Sequence, residues 1–172
     1  MFTGITLKQI SSLSGYSVST VSKALNDKYE IGESTKKKIR RIAKLNNYVP
    51  NSAAQALRNR KTKMIAVIVP NITSNYFNNF ICEVQKEAFA IGYRVLILQS
   101  FDNIKKEKQC VRSVNDGSVD GILMLSNSEH SNTGFELDIP RNCITLSYED
   151  HEKFCKKTMK EVANSSFQKL IS

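Results

Sequence analysis

Gly15-Tyr16-Ser17-Val18-Ser19-Thr20-Val21-Ser22-Lys23-Ala24-Leu25-Asn26 decides how the first part of this chain folds. Gly15 interrupts an apolar-periodic run, and two residues later Ser17 is placed to cap a new helix with its hydroxyl. The spacing predicts that helix from Val18 to about Leu25. Val21, Ala24 and Leu25 then turn inward, and Val18, Ser19, Ser22 and Lys23 point elsewhere. Upstream, Thr6-Leu7-Lys8-Gln9 has the T-x-x-Q form of a capping box, opening a helix whose apolar face is Leu7, Ile10 and Leu13. Two helices joined by a short glycine-containing turn make a helix-turn-helix.

A third helix is expected from about Glu33 to Leu45. Ile39, Ile42, Ala43 and Leu45 face in, and Lys36, Lys37, Lys38, Arg40, Arg41 and Lys44 face water or a partner. Asn46-Asn47 suits its end, because Asn tolerates the left-handed conformation, and Tyr48-Val49-Pro50 stops it. The stretch from Asn51 to Arg58 is rich in Ala but too short to hold a helix alone in water. Polar, basic residues 59–63 follow, which places a helix-turn-helix domain with its hinge (about 51–58) in residues 1–59 and a second domain in residues 60–172. Charge divides the same way. Residues 1–63 carry 13 basic and 3 acidic side chains, and the remainder carries 12 and 13, so the net +9 of the chain belongs to its first third. Such asymmetry points to a polyanion-binding module joined to a module of another kind.

From Met64 the pattern changes. Met64 to Val69 is a continuous apolar run, the mark of a strand buried on both faces of a parallel sheet. A helix over Phe77–Ala88 ending at Gly92, a strand Arg94–Leu98, a charged helix Ile104–Val114 and a strand Gly121–Leu125 follow. Strand and helix alternating in this way mean βαβ units and a parallel α/β sheet. Beyond Ser126, Asn142–Ser147 reads as a strand, Glu152–Val162 as a basic helix, and Gln168–Ile171 as the start of another strand.

Several classes are excluded. The longest nearly apolar run is far too short for a membrane span, and no secretory signal is visible. Cys82, Cys110, Cys143 and Cys155 are scattered without a CxxC pair, and with only His130 and His151 beside them they form no zinc set, so reduced thiols in a cytoplasmic protein are expected and no metal or cofactor. No GxSxG, P-loop, GxGxxG or HExxH occurs, and no catalytic residue is assigned. With 41% hydrophobic and 24% charged residues the chain is ordinary globular protein.

The major groove of duplex DNA is about 12 Å wide and admits one helix, read from its early exposed positions. Here those are Val18, Ser19 and Lys23. Val18 suits a thymine methyl, Ser19 either donates or accepts, and Lys23 suits guanine O6 and N7. Thr6, Ser17, Thr20, Ser22 and Asn26 are short polar groups fitted to backbone phosphates, with capping or solvation as the alternative for each. Lys37 or Arg41 is a further phosphate candidate. In the second domain, ligands of an open parallel sheet bind beyond the carboxyl ends of its strands. The loops there offer Asn75, Tyr76, Ser100, Asp102 and Ser126, the amide, hydroxyl and aromatic groups that grip a sugar or nucleoside.

Three segments in register resemble the LacI-type bacterial transcriptional repressors: Ile5–Ile10 as the opening helix, Gly15–Asn26 as the turn and recognition helix, and Asn47–Leu57 as the "NYxPNxxAxxL" hinge. Residues 64–125 resemble the start of the family's periplasmic-binding-protein-like effector domain, with Asn115–Ile122 in place of "xxVDGII". The resemblance implies a homodimer on a pseudopalindromic operator. It also implies a hinge that turns helical on DNA, where Asn51, Ala54 and Leu57 share a face and paired Leu57 side chains wedge into the minor groove. The alternative for Leu57 is packing against the following domain. Ser11 stands where the family has Ala, Lys23 where Arg is common, and Gly32 where Ser caps a helix. The chain is shorter than its family, ending where a second effector subdomain is expected, and residues 126–143 read as short by one strand-helix-strand passage. Two other readings remain beside a working repressor: a truncated or interfering relic, and a stand-alone small-molecule-binding module.

Overall fold

The computed structural model describes residues 4–127, 140, 142–148 and 156–171, which form two compact units, residues 1–51 and 52–172. The first unit is three helices, α1 (Leu7–Ser14), α2 (Val18–Leu25) and α3 (Glu33–Leu45). Ile10, Val21, Ala24, Ile39 and Ala43 make its core, with Leu7, Tyr16, Ile31, Ile42 and Tyr48 packed around it. The expected helix limits are reproduced, but two inward assignments are not: Leu13 is 58% exposed and Leu45 is 72% exposed. Each lies six residues beyond an inward position of its helix, Leu7 and Ile39. A helix turns by about 100° per residue, so a six-residue step lands about 120° off the stripe, whereas a seven-residue step returns to it. The stripe of α1 accordingly runs through Leu7, Ile10 and Ser14, and Ser14 is buried. The same geometry corrects Lys36, expected to face water or a partner. It sits seven residues before Ala43 and is only 6% exposed.

The second unit opens with α4 (Ser52–Asn59), the segment that the sequence reading grouped with the first domain. There follow β1 (Met64–Val69), α5 (Asn75–Ala90), β2 (Arg94–Gln99), α6 (Ile104–Val114), β3 (Gly121–Ser126), β4 (Cys143–Ser147) and α7 (Lys156–Ile171). The sheet is parallel throughout in the order β2-β1-β3-β4. β1 lies central, and alternate residues feed opposite cores. Ile65, Val67 and Val69 meet α5 and α7 through Phe80, Val84, Ala163 and Phe167, while Ala66 and Ile68 meet α6 through Val111 and Val114. Gln168–Ile171, expected as a strand, are instead the last turn of α7. Phe167, Leu170 and Ile171 recur at helical spacing and lie against the sheet. Gly121 permits that approach, since a Cβ there would meet Leu170 Cγ at 2.5 Å.

Residues 128–139, where the sequence suggests a missing passage, lie outside the described residues, as do His130, His151, Cys155 and the start of the helix expected from Glu152. Among the described residues no helix is long and apolar enough to cross a membrane.

Candidate nucleic-acid interface

α1 begins with the anticipated reciprocal cap. The Gln9 amide donates to Thr6 Oγ1 at 3.3 Å, and the Thr6 amide donates to Gln9 Oε1 at 2.8 Å. Gly15 ends the helix at φ 75, a left-handed conformation that a side chain strains, and its N–H closes on the Ser11 carbonyl at 3.0 Å. The Ser11 hydroxyl then donates to the Tyr16 carbonyl at 2.6 Å and pins the turn between the two helices. Ser17 accepts from the Thr20 amide at 3.1 Å, and the Ser17 and Thr20 hydroxyls lie 2.9 Å apart. Asn26 donates its side-chain amide to the Ser22 carbonyl at 2.6 Å. Ser17, Thr20 and Asn26 thus spend side-chain groups on the ends of α2, to which Ser22 contributes its backbone carbonyl.

The outer face of α2 carries Val18, Ser19 and Lys23, all exposed, on a helix whose opposite face is the buried pair Val21 and Ala24. Lys23 is in an ion pair with Glu30. Glu30 was not singled out from the sequence, and a charge seven residues away in a loop gives no periodic signal. Behind α2, Asp27 at φ 57 gathers two cations of α3: Lys36 Nζ at 3.0 Å and Arg40 at 2.6 Å. Hydrogen bonds from Lys36, then Arg40, hold the Asp27 carboxyl below its ordinary range. Glu33, also 3.0 Å from Lys36, and Asp27 raise the lysine in turn. Lys38 stands over the Tyr16 ring at 5.1 Å, while Lys37 and Arg41 are exposed.

In the second unit Leu57 is 86% exposed, so it does not pack into the adjoining core, and Ala54 one turn earlier is also exposed; Asn51 precedes the helix. At the opposite edge, the five effector candidates do not form one cluster of outward groups. Ser100 is buried beneath the Val69 carbonyl, and Ser126 is buried, donating to Glu107 Oε2 at 2.9 Å. Asp102 accepts from the Tyr148 hydroxyl. Tyr76 is half-buried with its ring 5.3 Å from Phe77, which in turn meets Tyr148 at 5.1 Å. Asn75 is exposed at the first position of α5. Phe101 and Asp102 both hold positive φ (56 and 52), local strain at the mouth of the strand ends. Among the described residues no group of His, Cys, Asp and Glu is arranged to hold a metal ion.

A capped, glycine-turned helix pair followed in the chain by a parallel α/β unit defines a helix-turn-helix protein with an appended α/β unit. Residues 6–51 match the model of the bacterial regulatory proteins of the lacI family. The chain is 33% identical over 123 residues to the ribose operon repressor of Bacillus subtilis, and 30% identical over 122 residues to the HTH-type transcriptional regulator RegA of Clostridium saccharobutylicum. Each match covers 71% of this chain and 37% of the relative. The fold also matches the lac repressor dimer bound to operator and the anti-inducer ONPF, with a TM-score of 0.68 at 20% identity over 74% of this chain and 39% of that one. Residues 6–51 are a lacI-family domain, and the chain spans well under half the length of these relatives.

Proposed function

We propose that this chain is a sequence-specific transcriptional repressor acting in the cytoplasm, and that as a homodimer it grips a pseudopalindromic operator. In this reading α2 enters the major groove with Val18, Ser19 and Lys23 against base edges. Thr6, Ser17, Thr20, Ser22 and Asn26, with Lys37 or Arg41, approach phosphates. The hinge, functionally part of residues 1–59, presents Asn51, Ala54 and Leu57 to the minor groove. The observation that carries the reading is the outer face of α2: three side chains suited to base edges stand exposed on a helix fixed from behind by its core, inside the cationic third of the chain. The family relatives named as operon repressors support it. Residues 60–172 serve in this reading as effector and dimerisation domain. In the same reading the loops that carry Asn75, Tyr76 and Asp102 border a sugar or nucleoside site, with Ser100 and Ser126 buried as supports of those loops.

The test is selection of duplexes from a random pool followed by gel-shift titration at several salt concentrations. The expected outcome is an inverted repeat bound in preference to random duplex, with affinity falling steeply as salt rises. Equal binding of all sequences, or indifference to salt, overturns the proposal.

A further inference from the structure

The second unit holds a cleft of about 940 Å3 at the amino-terminal edge of its sheet, opposite the strand ends where an effector of this fold would sit. One wall is α4, which turns Ala53, Ala56 and Leu57 toward it, with Arg60 and Lys61 continuing the same side. The floor is apolar: Met64, Tyr93, Val119, Leu170 and Ile171. The volume lies within the range of small-molecule sites, about 300–1,000 Å3.

The charge of the cleft tells what fits. Its two carboxylates are already engaged by the protein. Asp120 accepts from the Thr62 amide at 2.6 Å, the Thr62 hydroxyl at 2.9 Å and the Lys63 amide at 3.1 Å, and Asp116 accepts from the Ser118 amide at 2.9 Å. Its three cations, Arg60, Lys61 and Arg94, enter no ion pair among the described residues. Arg60 stands at φ 53, where the linker leaves α4. We infer that this cleft binds an amphipathic organic anion, its apolar body against Leu170, Tyr93 and Leu57 and its charged head at Arg60 and Arg94. Binding there covers Leu57 and therefore competes with DNA. That second half rests on the operator reading above, whereas ligand binding itself does not.

The probe is 8-anilinonaphthalene-1-sulfonate, titrated into the purified full chain and followed by its fluorescence. The expected result is saturable one-to-one binding that weakens with salt, falls about tenfold in Ala56→Trp, where an indole fills the cleft, and weakens less in Arg94→Gln. Phe89→Ser, which alters the exposed apolar face of α5 instead, leaves it unchanged. The selected inverted-repeat duplex displaces the dye. The inference is overturned if Ala56→Trp leaves the dye bound, whatever Arg94→Gln does, because Arg94 also borders the apolar patch around Phe89; it is overturned too if Phe89→Ser abolishes the signal, or if a duplex that shifts the chain in a gel leaves the dye bound. A chain that binds the dye as described but prefers no duplex counts against the operator reading and not against the cleft.

Discussion

Replacing Asp120 with Ala is expected to loosen the linker between α4 and the sheet. Besides the Tyr93 hydroxyl, the carboxylate takes three hydrogen bonds from residues 58 and 57 positions away, at Thr62 and Lys63. A hydrogen bond to a charged group contributes about 1.5–3 kcal/mol net. The three do not add. The Thr62 hydroxyl keeps a second partner, accepting from the Met64 amide at 3.2 Å, and Lys63 is exposed enough for water to replace the lost acceptor. The half-buried Thr62 amide bears most of the loss, giving about 2–4 kcal/mol for Asp120→Ala and roughly half that for Asp120→Asn, which keeps a neutral acceptor. Urea unfolding followed by circular dichroism reads this as a midpoint lower by about 1–2 M at unchanged slope. The pH dependence has a definite sign. Burial alone pushes the Asp120 carboxyl up, but the Thr62 and Lys63 amides and the Thr62 and Tyr93 hydroxyls outweigh it and hold the group below its ordinary value. The stabilisation is therefore full above an unfolded pKa of about 3.9 and disappears as pH falls through the lower folded value. A wild-type advantage below about 0.5 kcal/mol at pH 7, or one that survives unchanged to pH 2, refutes the reasoning.

Three further outcomes are expected. Gly121→Ala forces its new Cβ into Leu170 and costs about 1–3 kcal/mol in urea unfolding, and Leu170→Ala in the same chain recovers part of that loss. Glu30→Gln releases Lys23 from its ion pair and tightens DNA binding several-fold in gel shifts at low salt, with the gain shrinking as salt rises. Leu57→Ala leaves the unfolding transition of the sheet within about 0.5 kcal/mol of wild type, because the side chain is exposed, yet reduces operator bending in a circular-permutation gel assay; bending equal to wild type argues against a minor-groove wedge.

How much of this was legible beforehand follows from the range of the interactions. Thr6 with Gln9, Ser17 with Thr20 and the αL turn at Gly15 act within three or four residues, so the sequence displays both partners at once, and the three helices of the first unit follow. The continuous apolar run of β1 likewise announces a strand covered on both faces. Lys36 follows spacing and not residue type: its stem is buried while its ammonium reaches Asp27 and Glu33 at the rim. The candidate site shows the opposite limit. Tyr148 meets Asp102 across 46 residues, and Ser126 meets Glu107 across 19, pairings that only the parallel register creates. A hydroxyl at a strand end reads as available until the sheet supplies its acceptor.

The grip of Asp27 on Lys36 and Arg40 has a practical consequence. Orientation of the second helix is secured from the rear, by charges and apolar packing that share no atom with Val18 or Ser19. The outward side chains are thus free to be rewritten in combination without dismantling their mounting, so libraries randomised at those two positions should keep folding while their sequence preferences diverge.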